Sequence, residues 1–236
     1  GIVDARGNIL SVDSIKTQAY KEIDEYVKAV ADRLLPMIEA VGGQSKIKGM
    51  GIGAPNGNFY SGTIEFAPNL PWKGVIRLAD LFQEAIGVPV TVTNDANAAA
   101  IGEMTYGAAR GMKNFIEITL GTGVGSGIVI NGQLVYGHDG FAGELGHTIS
   151  RRTNGRQCGC GRTGCLETYC SATGVARTAR EVVDCTDEPS LLREIEGEIT
   201  SKDVFDAAIR GDKAALEVFK FTGTILGEAL ADFVAF

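Results

Sequence analysis

The chain is expected to fold as an α/β protein with two sheet-based lobes. Three observations predict this. Short runs with strand character alternate with amphipathic helical stretches, and the alternation occurs twice along the 236 residues. Val88 to Thr93 is a continuous apolar run, the pattern of a strand buried on both faces, and it delivers Asn94-Asp95 to its carboxyl end. Apolar residues make up 44% and charged residues 22%, the balance of a folded globular chain.

The elements follow in order. Gly1-Ile2-Val3, Asp4 to Asn8 and Ile9-Leu10 read as strand, turn, strand. Ile23, Val27, Val30, Leu34, Ile38 and Val41 recur at helical spacing, with Pro36 inside and Gly42-Gly43 as the stop. Ile47 to Gly53 reads as a strand and Pro55 to Trp72 as a long loop rich in Gly, Pro and Asn. Leu78, Leu81, Phe82 and Ile86 mark a helix that ends at Gly87, before the Val88 strand and an Ala-rich helix. Phe115 to Leu120 and Ser126 to Ile130 are strands around Gly121-Thr122-Gly123-Val124-Gly125, and Asn131-Gly132 signals a two-residue hairpin into Gln133 to Tyr136. A Cys-rich loop and helices complete the chain. Ile225 to Phe236 is still an apolar helix at the last residue, and Gly1 is not an initiator Met, so both ends read as cut from a longer protein.

Lys and Arg total 22 against 29 Asp and Glu, for a net charge of −7. A nucleic-acid backbone and an anionic membrane are therefore unfavourable partners. No apolar run approaches the ~20 residues of a membrane span. The chain reads as soluble and cytoplasmic.

Four groups of residues carry candidate chemistry. Cys158, Cys160 and Cys165 crowd into eight Gly-rich residues, and His147 is the nearest candidate for a fourth ligand to a structural zinc. Three reduced thiols in a loop, or a zinc ribbon gripping nucleic acid, are the alternatives, and the negative charge counts against the ribbon. Cys170 and Cys185 read as free thiols. Asp95, at the end of the buried strand, is either the cap of the following helix or a general base. Alternating glycines in 120–127 can turn backbone N–H groups toward a phosphate or simply close a hairpin, and no Gly-Lys-[Ser/Thr] follows. Glu144 and Glu167 flank the cysteine cluster, where carboxylates beside a rigid metal loop suit a polyhydroxylated ligand such as a sugar.

Glu144-Leu145-Gly146-His147 followed by Cys158-Gly159-Cys160-Gly161-Arg162-Thr163-Gly164-Cys165-Leu166-Glu167 resembles the signature of the ROK family (repressors, open reading frames and kinases). Asn94-Asp95-Ala96-Asn97-Ala98-Ala99 and the 120–127 loop are similar to that family's catalytic strand and second phosphate loop. Ala67-Pro68-Asn69-Leu70-Pro71-Trp72 resembles the sugar-contacting loop of its glucokinase-type members. The resemblance implies a two-lobed actin-like, ribonuclease-H-like sugar kinase fold, with residues 1–95 as an N-terminal lobe lacking its first strand. Residues 96–236 would form the C-terminal lobe, with an inserted zinc loop at 147–165.

It further implies ATP- and Mg²⁺-dependent phosphorylation of a hexose, glucose first, with Asp95 as the base. Asn69, Asn94, Gly123, Glu144, His147 and Glu167 would hold the sugar. Gly121, Thr122 and Gly123 would face the nucleotide, and His147, Cys158, Cys160 and Cys165 would hold zinc. The full-length protein is expected to form a homodimer. The alternative implied by the same family is the sugar-sensing domain of a transcriptional repressor. Kinases of the family carry an Asp-x-Gly-Gly-Thr loop on their first strand and an adenine-contacting Gly-rich stretch after the last helix. Neither is present, so the chain as written is expected to turn over ATP negligibly.

Overall fold

In the computed structural model, which describes residues 1–235, Ile2–Val3 (β1) pairs antiparallel with Ile9–Ser11 (β2). Asp4 closes the turn between them, its carboxylate accepting the N–H groups of Arg6 and Asn8 at 2.8 and 2.9 Å. The chain divides into two units, one of Gly1–Glu117 with Gly127–Gly143, the other of Ile118–Ser126 with Glu144 onward. The lobe boundary expected after Asp95 falls inside the first unit.

Ile23–Ala40 (α1), with Pro36 inside it, leads to Met50–Gly53 (β3). Gly57–Asn58 (β4), Thr63–Glu65 (β5) and Val75–Ile76 (β6) then form an antiparallel three-stranded sheet. Two of these strands, β4 and β5, take five residues out of the loop expected over 55–72, and the rest of that stretch is loop. The strands of this sheet are two or three residues long, too short to show a period of two. Leu78–Ile86 (α2) ends at Gly87, whose φ of 77° lets its N–H return to the Gln83 carbonyl.

Val90–Thr93 (β7) pairs in parallel with β3, in the register Met50↔Val90 through Gly53↔Thr93. Val92 is fully buried, whereas Thr91 is exposed, so the strand is not covered on both faces as its composition predicts. Successive side chains of a strand point to opposite faces, and the core of the first unit gathers on the Val92 side. Val27, Ala31 and Ile38 of α1 and Leu78, Phe82 and Ile86 of α2 form the core beside Val92. Their spacing is that of one apolar helix face.

Asp95–Thr105 (α3) follows β7 after one residue. Phe115–Leu120 (β8), Val124–Ile130 (β9) and Gln133–Leu134 (β10) form a three-stranded sheet of order β10-β9-β8. Asn131 and Gly132 turn β9 into β10 with φ of 54° and 76°, the conformation of a two-residue hairpin turn.

The second unit is helical beyond the β8–β9 tip. Glu167–Cys170 (α4), Ala172–Asp184 (α5), Ser201–Ile209 (α6) and Lys213–Val234 (α7) are its α-helices among the described residues. Val175, Ala179 and Val183 pack with Val204, Ala207, Ala215 and Val218. Asp212 caps α7, accepting the N–H of Ala215 at 2.9 Å and that of Leu191 at 2.7 Å. Near its end Phe233 is buried and Val234 exposed, while Phe236 lies outside the described residues. No helix among the described residues is long and apolar enough to cross a membrane.

Candidate active site and metal centre

In the first unit, the end of β7 presents Asn94 and Asp95. Asn94, not Asp95, caps the helix: its Oδ1 accepts the Ala96 N–H at 2.9 Å. Asp95 occupies the first helical position, is exposed, and has its own Oδ1 2.9 Å from the same N–H. The helix can begin so close to the sheet because Gly53 of β3 has no side chain. A Cβ there would stand 3.1 Å from the Ala98 Cβ and 3.3 Å from the Asp95 Cα. Asn69 is exposed in the loop between β5 and β6, and its carbonyl accepts from the Gln18 side chain at 2.8 Å.

In the second unit, the cluster read from the sequence is assembled. The ligand atoms of His147, Cys158, Cys160 and Cys165 all lie within 4.8 Å of one another. Cys158 Sγ is 3.7 Å from His147 Nδ1, and Cys160 Sγ is 3.7 Å from Cys165 Sγ. Two thiolates on a tetrahedral Zn²⁺, each at ~2.3 Å, would be about 3.8 Å apart. The donor set therefore fits zinc in both chemistry and spacing. The backbone permits this wrap through Gly161 and Gly164, with φ of 88° and 82°.

The thiols are unequal without a cation. Burial, then the two neighbouring cysteines, pushes Cys165 up to about 12, and burial also raises Cys158. At Cys160 burial acts the same way but is outweighed by the N–H and guanidinium of Arg162 and by the other thiols, which bring it down to about 6. A bound divalent cation supplies the positive charge that would hold all three as thiolates.

Glu167, first residue of α4, stands between this cluster and the glycine hairpin. Its Oε1 is 3.9 Å from Cys158 Sγ and its Oε2 accepts the Val124 N–H at 3.0 Å. A side chain on Gly123 would collide with that carboxylate. The tip of the hairpin is held by α5: the Ala172 N–H donates to the Gly121 carbonyl at 2.8 Å, and the Thr173 hydroxyl to the Thr122 carbonyl at 3.0 Å. Thr122 itself is exposed, as is Glu144, and His147 is half-buried.

A cavity of about 430 Å³ opens beside that tip, lined by Thr122, Thr173, Arg177, Arg180, Glu198 and Thr200 among others. The sequence reading missed it. Arg177 and Arg180 are three apart on one helix face, a signal that becomes meaningful only once Thr122 is known to adjoin α5. Cys170 is buried and Cys185 exposed, both unpaired thiols.

The ROK family profile matches residues 1–236. A glucokinase from Halalkalibacterium halodurans is 46% identical over 192 residues, which are 80% of this chain and 58% of that protein. This chain thus spans less than two thirds of that relative. A xylose repressor from Bacillus spizizenii is 34% identical over 184 residues, 78% of this chain and 44% of the repressor. The crystal structure of a ROK family glucokinase from Streptomyces griseus, in complex with glucose and AMPPNP, superposes with a TM-score of 0.79 at 36% identity. It covers 100% of this chain and 75% of that one.

Proposed function

The chain belongs to the ROK family, and from that premise we propose that it carries the sugar site and part of the nucleotide site of an ATP-dependent hexose kinase converting glucose to glucose 6-phosphate. The observation that carries this reading is the placing of Asp95. It is an exposed carboxylate at the carboxyl end of β7, where α/β proteins bind ligands, and Asn94 has already taken over the capping role. The likeness to a glucokinase solved with glucose and AMPPNP supports the choice of sugar and nucleotide.

In this mechanism Asn69, Asn94, Gly123, Glu144, His147 and Glu167 hold the hexose hydroxyls. Asp95 takes the proton from the 6-hydroxyl as its oxygen forms a bond to the γ-phosphorus, and the bond from that phosphorus to ADP breaks. His147 would use Nδ1 toward zinc and Nε2 toward the sugar, so a metal-fixed ring becomes an oriented hydrogen-bonding group. Zinc on His147, Cys158, Cys160 and Cys165 supplies structure, not chemistry. Gly121, Thr122 and Gly123 face the phosphates of ATP, which is taken up with Mg²⁺ to offset their charge. The cavity beside Thr122 receives part of the nucleotide, with Arg177 and Arg180 in its wall.

The net charge of −7 supports a small-molecule partner over nucleic acid, and ATP as co-substrate supports a cytoplasmic location. The dimer proposed with it is checked by light scattering of the purified protein. A second reading, a sugar-sensing module without turnover, is favoured by the likeness to a xylose repressor. Glucose-dependent formation of ADP from ATP, measured in a coupled assay on the full-length protein, separates the two. Sugar binding without ADP formation would replace the kinase by the sensor.

A further inference from the structure

Arg156 is the only lysine or arginine buried among the described residues, with its side chain 7% exposed. A guanidinium in such a place demands partners for its N–H groups. It finds the Thr168 carbonyl at 2.8 Å, the Gly174 carbonyl at 3.3 Å, the Thr178 hydroxyl at 2.8 Å and the Glu181 carboxylate at 2.5 Å. Its plane lies over the Tyr169 ring, 4.6 Å from the centroid. The main chain of the same residue is engaged too. Its N–H donates to the Tyr169 hydroxyl at 2.9 Å, and its carbonyl accepts from Gly164 at 2.8 Å, inside the cysteine loop.

Three of these contacts fall on α4. That helix has four residues, and one turn has no stability of its own. Its orientation must come from outside, and Glu167 is its first residue. Leu166 and Cys170 are buried, and the Thr168 hydroxyl donates to the Cys165 carbonyl at 2.7 Å, but it is Arg156 that holds both Thr168 and Tyr169 from a charged side chain.

We propose that Arg156 is the positioning residue for Glu167: by clamping α4 through Thr168 and Tyr169, it aims the Glu167 carboxylate at the Val124 N–H and at the sugar. It touches neither substrate nor metal. This rests on the kinase reading for the sugar, but not for the hairpin. The aim of Glu167 is read directly by the Val124 amide, whose N–H it accepts.

The test compares Arg156→Met and Arg156→Lys with Thr178→Val in the full-length protein. Thr178→Val removes one guanidinium partner on α5 and leaves the grip on α4 intact, so it reports loss of stability alone. Arg156→Met is expected to raise the glucose dissociation constant by about 10- to 100-fold, the range typical of lost outer-shell partners. It should also speed hydrogen exchange at the Val124 amide by about tenfold or more, leaving the amides of α3 unchanged. Arg156→Lys should recover part of both effects, since one ammonium keeps the charge but not the fork.

If Arg156→Met does not fold, Arg156→Lys is judged by the same two readouts. A glucose constant within twofold of wild type, or an equal change in Thr178→Val, overturns the proposal. Should the wild-type protein bind no glucose, the kinase reading fails instead, and the exchange rate at Val124 alone decides the role of Arg156. An unchanged rate there refutes it.

Discussion

The carboxylate of Glu167 accepts the backbone N–H of Val124 at 3.0 Å, across 43 residues of sequence. One oxygen thus ties the residue that follows the metal loop to the hairpin proposed to face the phosphates. Its second oxygen points toward the cysteine cluster, 3.9 Å from Cys158 Sγ. Glu167 sits where sugar, metal loop and nucleotide hairpin would all sense it.

Exchanging that carboxylate for an amide separates its tasks. Glu167→Gln should weaken glucose binding by about tenfold or more, as expected for a lost charge-assisted hydrogen bond. Zinc content should stay at wild-type level, because Glu167 is not among the four ligand candidates. His147→Ala, by contrast, should weaken both. Calorimetry with glucose and metal analysis of each variant check this, and intact sugar binding in His147→Ala would end the proposed double role of that ring.

Metal removal should unfold the loop over residues 147–165. One Zn²⁺ per chain is expected, contributing on the order of 10 kcal/mol to local folding. Elemental analysis finding no zinc, or identical melting with and without a strong chelator, contradicts the assignment. Cys165→Ser should be more damaging than Cys160→Ser, since Cys165 is fully buried and Cys160 exposed.

Asp95→Asn should lower turnover by about 10²- to 10⁴-fold, the typical contribution of a general base. Glucose affinity should remain within about tenfold, because the amide still hydrogen-bonds but accepts no proton. The helix should melt as in wild type, since Asn94 provides its cap. Retention of most turnover would reduce Asp95 to a bystander at the start of α3.

Acid stability tests the second unit. Burial pushes the Asp212 carboxyl up, but the N–H groups of Ala215 and Leu191 and the Ser190 hydroxyl prevail and hold it below the usual carboxylate value. A carboxyl lowered in the fold stabilises above its unfolded pKa of ~3.9, and that stability disappears as pH falls through the folded value. Asp212→Ala should therefore cost about 1–2 kcal/mol near neutral pH. In melting temperature this is roughly 2–4 °C per kcal/mol. The difference should shrink below about pH 4, where the wild type loses the same contribution. Thermal melts at pH 7 and pH 3 measure it, and a gap that stays constant excludes the carboxylate as its source.

Features set by neighbouring residues were legible along the chain. Asn131-Gly132 had to be a tight turn, because few residue pairs tolerate two positive φ angles. Cysteines two and five apart among glycines had to converge, because so short a loop leaves the sulfurs little room to separate. The Asn94-Asp95 pair announced a strand end followed by a helix, although which of the two caps that helix depended on where the extended backbone ends, at Asn94. The sheet of β4, β5 and β6 was invisible, since two-residue strands carry no periodicity and are held by partners.

Contacts over long sequence separation belonged to the tertiary structure alone. Nothing in the sequence around Arg156 distinguishes it from Arg151 or Arg152, yet it is buried with four acceptors and an aromatic face. Its burial follows from where α4 and α5 pack, and a composition of charged residues says nothing about that. The meeting of Glu167 with Val124, and of Thr122 with Thr173, likewise arises from the docking of α4 and α5 against the hairpin tip. Local chemistry chose the groups that could bind a metal, a sugar or a phosphate. Packing of elements remote in sequence chose which of those groups face one another, because a hydrogen bond depends on position and angle in space and not on order along the chain.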